Sequence, residues 1–148
     1  MATQTAEQKF KRLLEKHNEY DPEAYNFIYE VLDYTKNKKS EKGTIHVTAH
    51  ELLQGFLFYT IEQFGCLAQT VLNEWGVKTT NDIGEIVYNL MEYDLMGKQP
   101  SDRKEEFNNF YNLKEVFNLK PIPIYQDKEK EWIVLYYPKK LTKPKGKA

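Results

Sequence analysis

The sequence predicts a mostly α protein: a compact multi-helix domain with a C-terminal β-hairpin and a flexible lysine-rich tail. Three observations lead there. Capping residues recur ahead of apolar faces with helical spacing, at Thr5, Asp21, Thr48 and Thr79 or Thr80. Near the C-terminus, "PIPIYQDKEKEWIVLYYP" places two β-rich runs on either side of a charged turn. After it the chain holds five lysines, Pro144 and Gly146, with little to bury. A length of 148 residues suits one domain. It is placed at residues 1–138 with the hairpin at about 121–137, and the tail at 139–148.

The elements follow in order. Thr5 and Gln8 form a capping-box pattern before Phe10, Leu13 and Leu14, giving a first helix that ends near His17. Asp21 caps the second, with Pro22 at its first position and Glu23 suited to the positive helix end. Tyr25, Phe27, Ile28, Val31 and Leu32 form its apolar face, and "TKNKKSEKGT" reads as the loop that ends it. In "GTIHVTAHELLQGF", Thr48 and Glu51 match the S/T-x-x-E box, with Val47 and Leu52 as a hydrophobic staple. This third helix stops at Gly65, and "CLAQTVLNEW" makes a fourth that ends at Gly76. A fifth runs from Thr79 or Thr80 towards Gly97. Ser101 is positioned to cap a sixth, with Phe107, Phe110, Leu113 and Phe117 inward. Pro121 and Pro123 limit the first strand of the hairpin to an edge. An isolated hairpin is marginal in water, so this one is expected to lie on the helices or on a partner.

Charge is divided unevenly. The formal net charge is −1, from 21 basic and 22 acidic residues. Setting aside the five lysines from Lys139 onwards leaves 16 bases against 22 acids, so the body is about −6 and the tail +5. Such a tail suits phosphate or an acidic surface. The start lacks the basic and apolar pattern of a signal peptide, and no apolar run approaches membrane-spanning length, so a cytoplasmic chain is expected. Cys66 stands alone, which excludes an internal disulfide and a thiolate zinc cluster.

The segments "AYNFIYEVLDYT", "HVTAHELLQGF", "EQFGCLAQTVLNEWGVKTTNDIGEIVYNLME" and "DRKEEF" resemble a small uncharacterised conserved bacterial family known from planctomycete and verrucomicrobial genomes and their relatives. The resemblance covers roughly residues 22–117. It implies a compact helical domain and no established catalytic role.

Four chemistries can be weighed on particular residues. His46 and His50 are four apart, but the capping box puts His46 outside the helix and His50 in its first turn, so the shared face a metal pair needs is lost. His46 is read instead as a structural loop anchor beside Thr48 and Glu51. Cys66 adjoins Leu67 and Ala68 and is read as buried and inert. No G-x-S-x-G, H-E-x-x-H or phosphate-binding glycine loop occurs. Residues 67–90 have the order of a helix-turn-helix, yet residues 79–97, which hold the second helix, contain Asp82, Glu85, Glu92 and Asp94 and no lysine or arginine. A duplex would repel that face.

Protein binding has the strongest features. Asp82, Glu85 and Glu92 offer an acidic face. Trp132 and Tyr136, with Val134, lie on one side of the last strand; Tyr137, with Ile133 and Leu135, lies on the other. Such a strand is either sandwiched in its own domain or shared with another chain. Lys139, Lys140, Lys143, Lys145 and Lys147 provide a basic contact. The sequence therefore points to a non-catalytic accessory subunit of a larger cytosolic assembly, a nucleoprotein machine such as the ribosome or the transcription apparatus. Its partner would be protein, with nucleic acid reached through the tail. No cofactor, metal, membrane or small-molecule substrate is expected. The alternatives are an independent nucleic-acid-binding regulator using the tail and "KNKKSEK", and a metal-dependent hydrolase around His46.

Overall fold

The computed structural model describes residues 3–39, 46–97 and 103–139. The helices are α1 (Ala6–Lys16), α2 (Pro22–Lys39), α3 (Ala49–Phe64), α4 (Ala68–Trp75), α5 (Thr80–Glu92) and the single turn α6 (Leu113–Val116). Two 3-10 turns, Gly65–Leu67 and Lys104–Phe107, join them, and the antiparallel strands β1 (Leu119–Gln126) and β2 (Glu131–Pro138) follow. The protein is mostly helical with a C-terminal hairpin, as the sequence predicts.

Local chemistry sets the helix starts. At α1 the Gln8 amide donates to Thr5 Oγ1 (3.1 Å), while Gln8 Oε1 accepts from the Thr5 amide (3.0 Å). The same reciprocal box opens α3: the Glu51 amide reaches Thr48 Oγ1 at 3.2 Å, and the Thr48 amide reaches Glu51 Oε1 at 2.9 Å. Asp21 Oδ1 takes the Glu23 amide at the start of α2. Each bond satisfies a donor that an α-helix otherwise leaves without a partner. Gly76 ends α4 in the left-handed region (φ 83°), and a Cβ there would meet the Glu19 carbonyl oxygen at 2.7 Å. Only glycine satisfies both demands.

One core joins these helices. Tyr25, Ile28, Leu53, Phe56, Leu72, Ile83 and Leu90 are fully buried. Phe27 is ringed by Phe56, Tyr59, Phe64 and Trp75 with centroids 5.3–5.8 Å away. The buried Tyr25 hydroxyl accepts from Asn89 Nδ2 (3.0 Å). Tyr111 donates to the Leu53 carbonyl (2.6 Å), and burial pushes its hydroxyl pKa well up.

Three expectations are corrected. The segment Thr35–Lys39 is helical rather than loop. Thr35 is buried against Gly55 of α3, and Lys39 Nζ reaches Glu51 Oε1 at 2.8 Å, so contact with α3 extends α2. Helix α5 stops at Glu92, well short of Gly97. Asp94 turns left-handed (φ 58°), and the Leu95 amide returns to the Leu90 carbonyl (2.8 Å), a six-to-one bond that closes the end. The single sixth helix is replaced by the Lys104–Phe107 turn and α6. Asn109 sits at φ 49° between them, and its amide donates to Asn81 Oδ1 while the Phe110 amide donates to Thr80 Oγ1. Phe107, Phe110, Leu113 and Phe117 are nonetheless all buried, as expected. Ser101 lies outside the described residues.

Candidate interaction surface

The hairpin begins on the body and leaves it. Its main contact with the helices is between β1 and the Gly65–Leu67 turn. A Cβ on Gly65 would meet the Tyr136 ring at 3.0 Å, which shows how closely that side chain covers the turn. Farther out, Tyr125 pairs in register with Trp132, Pro123 with Val134, and Ile124 with Ile133. The Tyr125 and Trp132 rings are 5.4 Å apart. Trp132 is 68% exposed, and Val134, Tyr137, Tyr125 and Ile124 are also exposed. The second strand is therefore not sandwiched within its own domain. Tyr125 and Ile124 escaped the sequence reading as surface residues. The signal for Tyr125 was available, because the turn length fixes it opposite Trp132.

The acidic face of α5 behaves differently. Asp82 accepts from the Tyr20 hydroxyl (2.6 Å) and from the Lys78 and Thr79 amides (2.8 and 3.1 Å), so it holds the helix start. Burial first, then the hydrogen bond and charge of Asp82, pushes the Tyr20 hydroxyl pKa up. Glu85 pairs with Lys104. Glu92 pairs with His17 Nε2 (3.0 Å) and more loosely with Lys16 (3.8 Å). All three carboxylates have partners within the chain. The rest of α5 is core: Gly84 packs so tightly on Phe107 that a Cβ would lie 2.7 Å from it. With Ile83, Ile86, Val87 and Leu90 buried as well, the helix keeps the stripe of Asn81, Glu85, Tyr88 and Glu92 at least partly exposed, and its carboxylates would be repelled by a duplex.

The histidines separate as the capping box requires. His46 is half-buried, and its carbonyl accepts from Lys39 Nζ (2.7 Å), so the anchor is the backbone rather than the imidazole. His46 Nδ1 is buried without a partner among the described residues. His50 stacks on Phe110 with centroids 4.6 Å apart. Among the described residues no three His, Cys, Asp or Glu side chains are grouped to hold a metal ion.

Cys66 is exposed, not buried. Gly65, at φ 51°, turns the chain out of α3, and the single 3-10 turn that follows leaves Cys66 and Leu67 on its outer side. Lys139 is at the hairpin base, where its amide donates to the Asn118 carbonyl (2.8 Å). Lys140, Lys143, Lys145 and Lys147 lie outside the described residues. An open groove lined by Gln69, Asn73, Lys78, Asn109, Asn112 and Lys114 offers amides and ammonium groups. Its described lining holds no carboxylate or imidazole for proton transfer. No helix among the described residues is long and apolar enough to cross a membrane.

No protein-family model, curated protein or solved structure matches this chain. The family resemblance rests on the quoted sequence segments alone.

Proposed function

We propose that the chain is a non-catalytic binding subunit of a larger cytosolic assembly, docking on a protein partner through the projecting hairpin. The observation that carries this is the apolar face at Tyr125, Trp132 and Val134, held away from a body whose described aromatics, Phe58 apart, are buried or half-buried. A two-ring cluster on a strand pair is the kind of anchor that fills a pocket on a partner. The lysines from Lys139 to Lys147 add a salt-sensitive contact to phosphate or an acidic surface, which favours a nucleoprotein assembly. The carboxylates of α5 contribute to folding rather than docking in this reading.

Affinity capture from native cytosol at low and high salt, with nuclease treatment, tests the proposal. A specific protein retained at high salt by the native chain, and lost with Trp132→Ala plus Tyr125→Ala, is the expected result. Recovery of the chain without any such protein under both conditions overturns it. Removal of residues 139–148 is expected to weaken retention at low salt without abolishing it; complete loss would favour a free nucleic-acid binder.

A further inference from the structure

The two edges of the hairpin are not equivalent. The bond from the Lys139 amide to the Asn118 carbonyl continues the ladder one step past the Leu119 and Pro138 pair. Asn118 and Lys139 are thus a hydrogen-bonded pair, and such pairs alternate along an antiparallel ladder. Leu119, Pro121, Pro123 and Tyr125, and their partners on β2, therefore direct their backbone polar groups outward. On β1 two of those four positions are prolines without an N–H, so that edge cannot template a further strand. On β2, Trp132, Val134 and Tyr136 each present both an N–H and a C=O. Among the described residues no backbone group of the helical body hydrogen-bonds to residues 131–138.

We propose that the open edge of β2 pairs with β2 of a second copy of this chain, antiparallel about a twofold axis at Leu135. The charges select that register. From Glu131 to Lys139 the only charged residues are those two, eight positions apart. An axis at Leu135 sets Glu131 of each copy opposite Lys139 of the other, and Val134 opposite Tyr136, an aromatic and β-branched pair. A register two residues shorter sets Glu131 against Tyr137, and one two residues longer sets Lys139 against Ile133. Even-numbered residues fall at hydrogen-bonded positions in this register, as their outward groups demand. The sheet has the order β1, β2, β2, β1 and is closed, because each outer edge is a proline-interrupted β1. This goes beyond the docking proposal: pairing uses the edge and leaves the Tyr125 and Trp132 face open.

Sedimentation equilibrium of the full chain over roughly 1–500 µM is the test, with far-UV circular dichroism as the folding control. A monomer–dimer equilibrium is expected. Val134→Pro removes an outward N–H without breaking a β1–β2 bond, and should leave a folded monomer across the range. Glu131→Lys and Lys139→Glu should each weaken dimerisation roughly tenfold, since two pairs per dimer are disrupted. The double exchange should restore it. A chain that stays monomeric throughout overturns the proposal. So does a dimer indifferent to both single charge reversals, whether or not Val134→Pro folds.

Discussion

The helical body and the hairpin draw on the same kinds of residue and place them oppositely. Tyr25, Phe27, Phe56 and Tyr111 are buried in the body, with their hydroxyls bonded where they have them. Tyr125, Trp132, Val134 and Tyr137 in the hairpin are exposed. The difference is one of geometry. An amphipathic helix has one stripe to cover, and the helices packed around a common core cover nearly all of theirs, Phe58 of α3 being the exposed aromatic. A two-stranded sheet has two faces and two edges, and this one meets the body chiefly near its base. Apolar character in the sequence thus marks a need for a neighbour, and only the fold shows whether the neighbour lies in the same chain.

Substitutions in the body should be costly and those in the hairpin should not. The largest effect is expected for Phe56→Ala, which empties a site packed edge-on by Phe27 and Phe117. Stability should fall by about 3–5 kcal/mol, read by urea denaturation. A loss near that of a surface residue would mean that the α2–α3 core is not close-packed.

The next tests the α2–α3 crossing. A Cβ on Gly55 would lie 2.0 Å from Thr35 Oγ1. Alanine is the better helix former, but the overlap should outweigh that gain and leave Gly55→Ala destabilised by about 1–2 kcal/mol. Thr35→Ala in the same chain removes the hydroxyl and should recover most of the loss. Independent, additive effects of the two changes would break the contact argument.

A smaller effect belongs to the α3 start. Thr48→Ala should cost about 1 kcal/mol. Its partner Glu51 adds a pH dependence. Burial would raise its carboxyl, but the hydrogen bonds from Lys39 and Thr48 outweigh burial and hold it below the usual 4.5. The unfolded chain binds this proton more readily, so the stabilisation is fully present above about pH 4.5 and is lost as pH falls through the lower folded value. The stability difference between the native chain and Glu51→Gln should therefore be constant from neutral pH down to that point and shrink below it. A difference that grows on acidification would reverse the assignment.

These contrasts explain how much was legible in advance. The caps at Thr5, Asp21 and Thr48 depend on residues three or fewer apart, and they stand in the sequence as they stand in the fold. The end of α2 depends on Thr35 meeting Gly55 twenty residues away, which no local pattern encodes. Asp82 was visible as a charge, while its role as the acceptor for Tyr20 needed a partner 62 positions distant. The break between the Lys104–Phe107 turn and α6 had a local sign that was passed over: three asparagines within "NNFYN", a residue type that tolerates the left-handed conformation. Cys66 was misplaced because a cysteine beside apolar residues was assumed to share their burial, when Gly65 turns both it and Leu67 outward.

The smallest effect carries the sharpest test of the comparison. At 68% exposure, Trp132 has little burial to lose, so Trp132→Phe should change the unfolding free energy by less than about 0.5 kcal/mol. It should change the spectroscopy strongly. The chain has two tryptophans, and Trp75 is packed against Phe27 and Phe64. Acrylamide should therefore quench two populations in the native chain at low concentration, one open and one protected, and Trp132→Phe should remove the open one alone. A single protected population would place Trp132 under cover from its own chain and dissolve the contrast between body and hairpin.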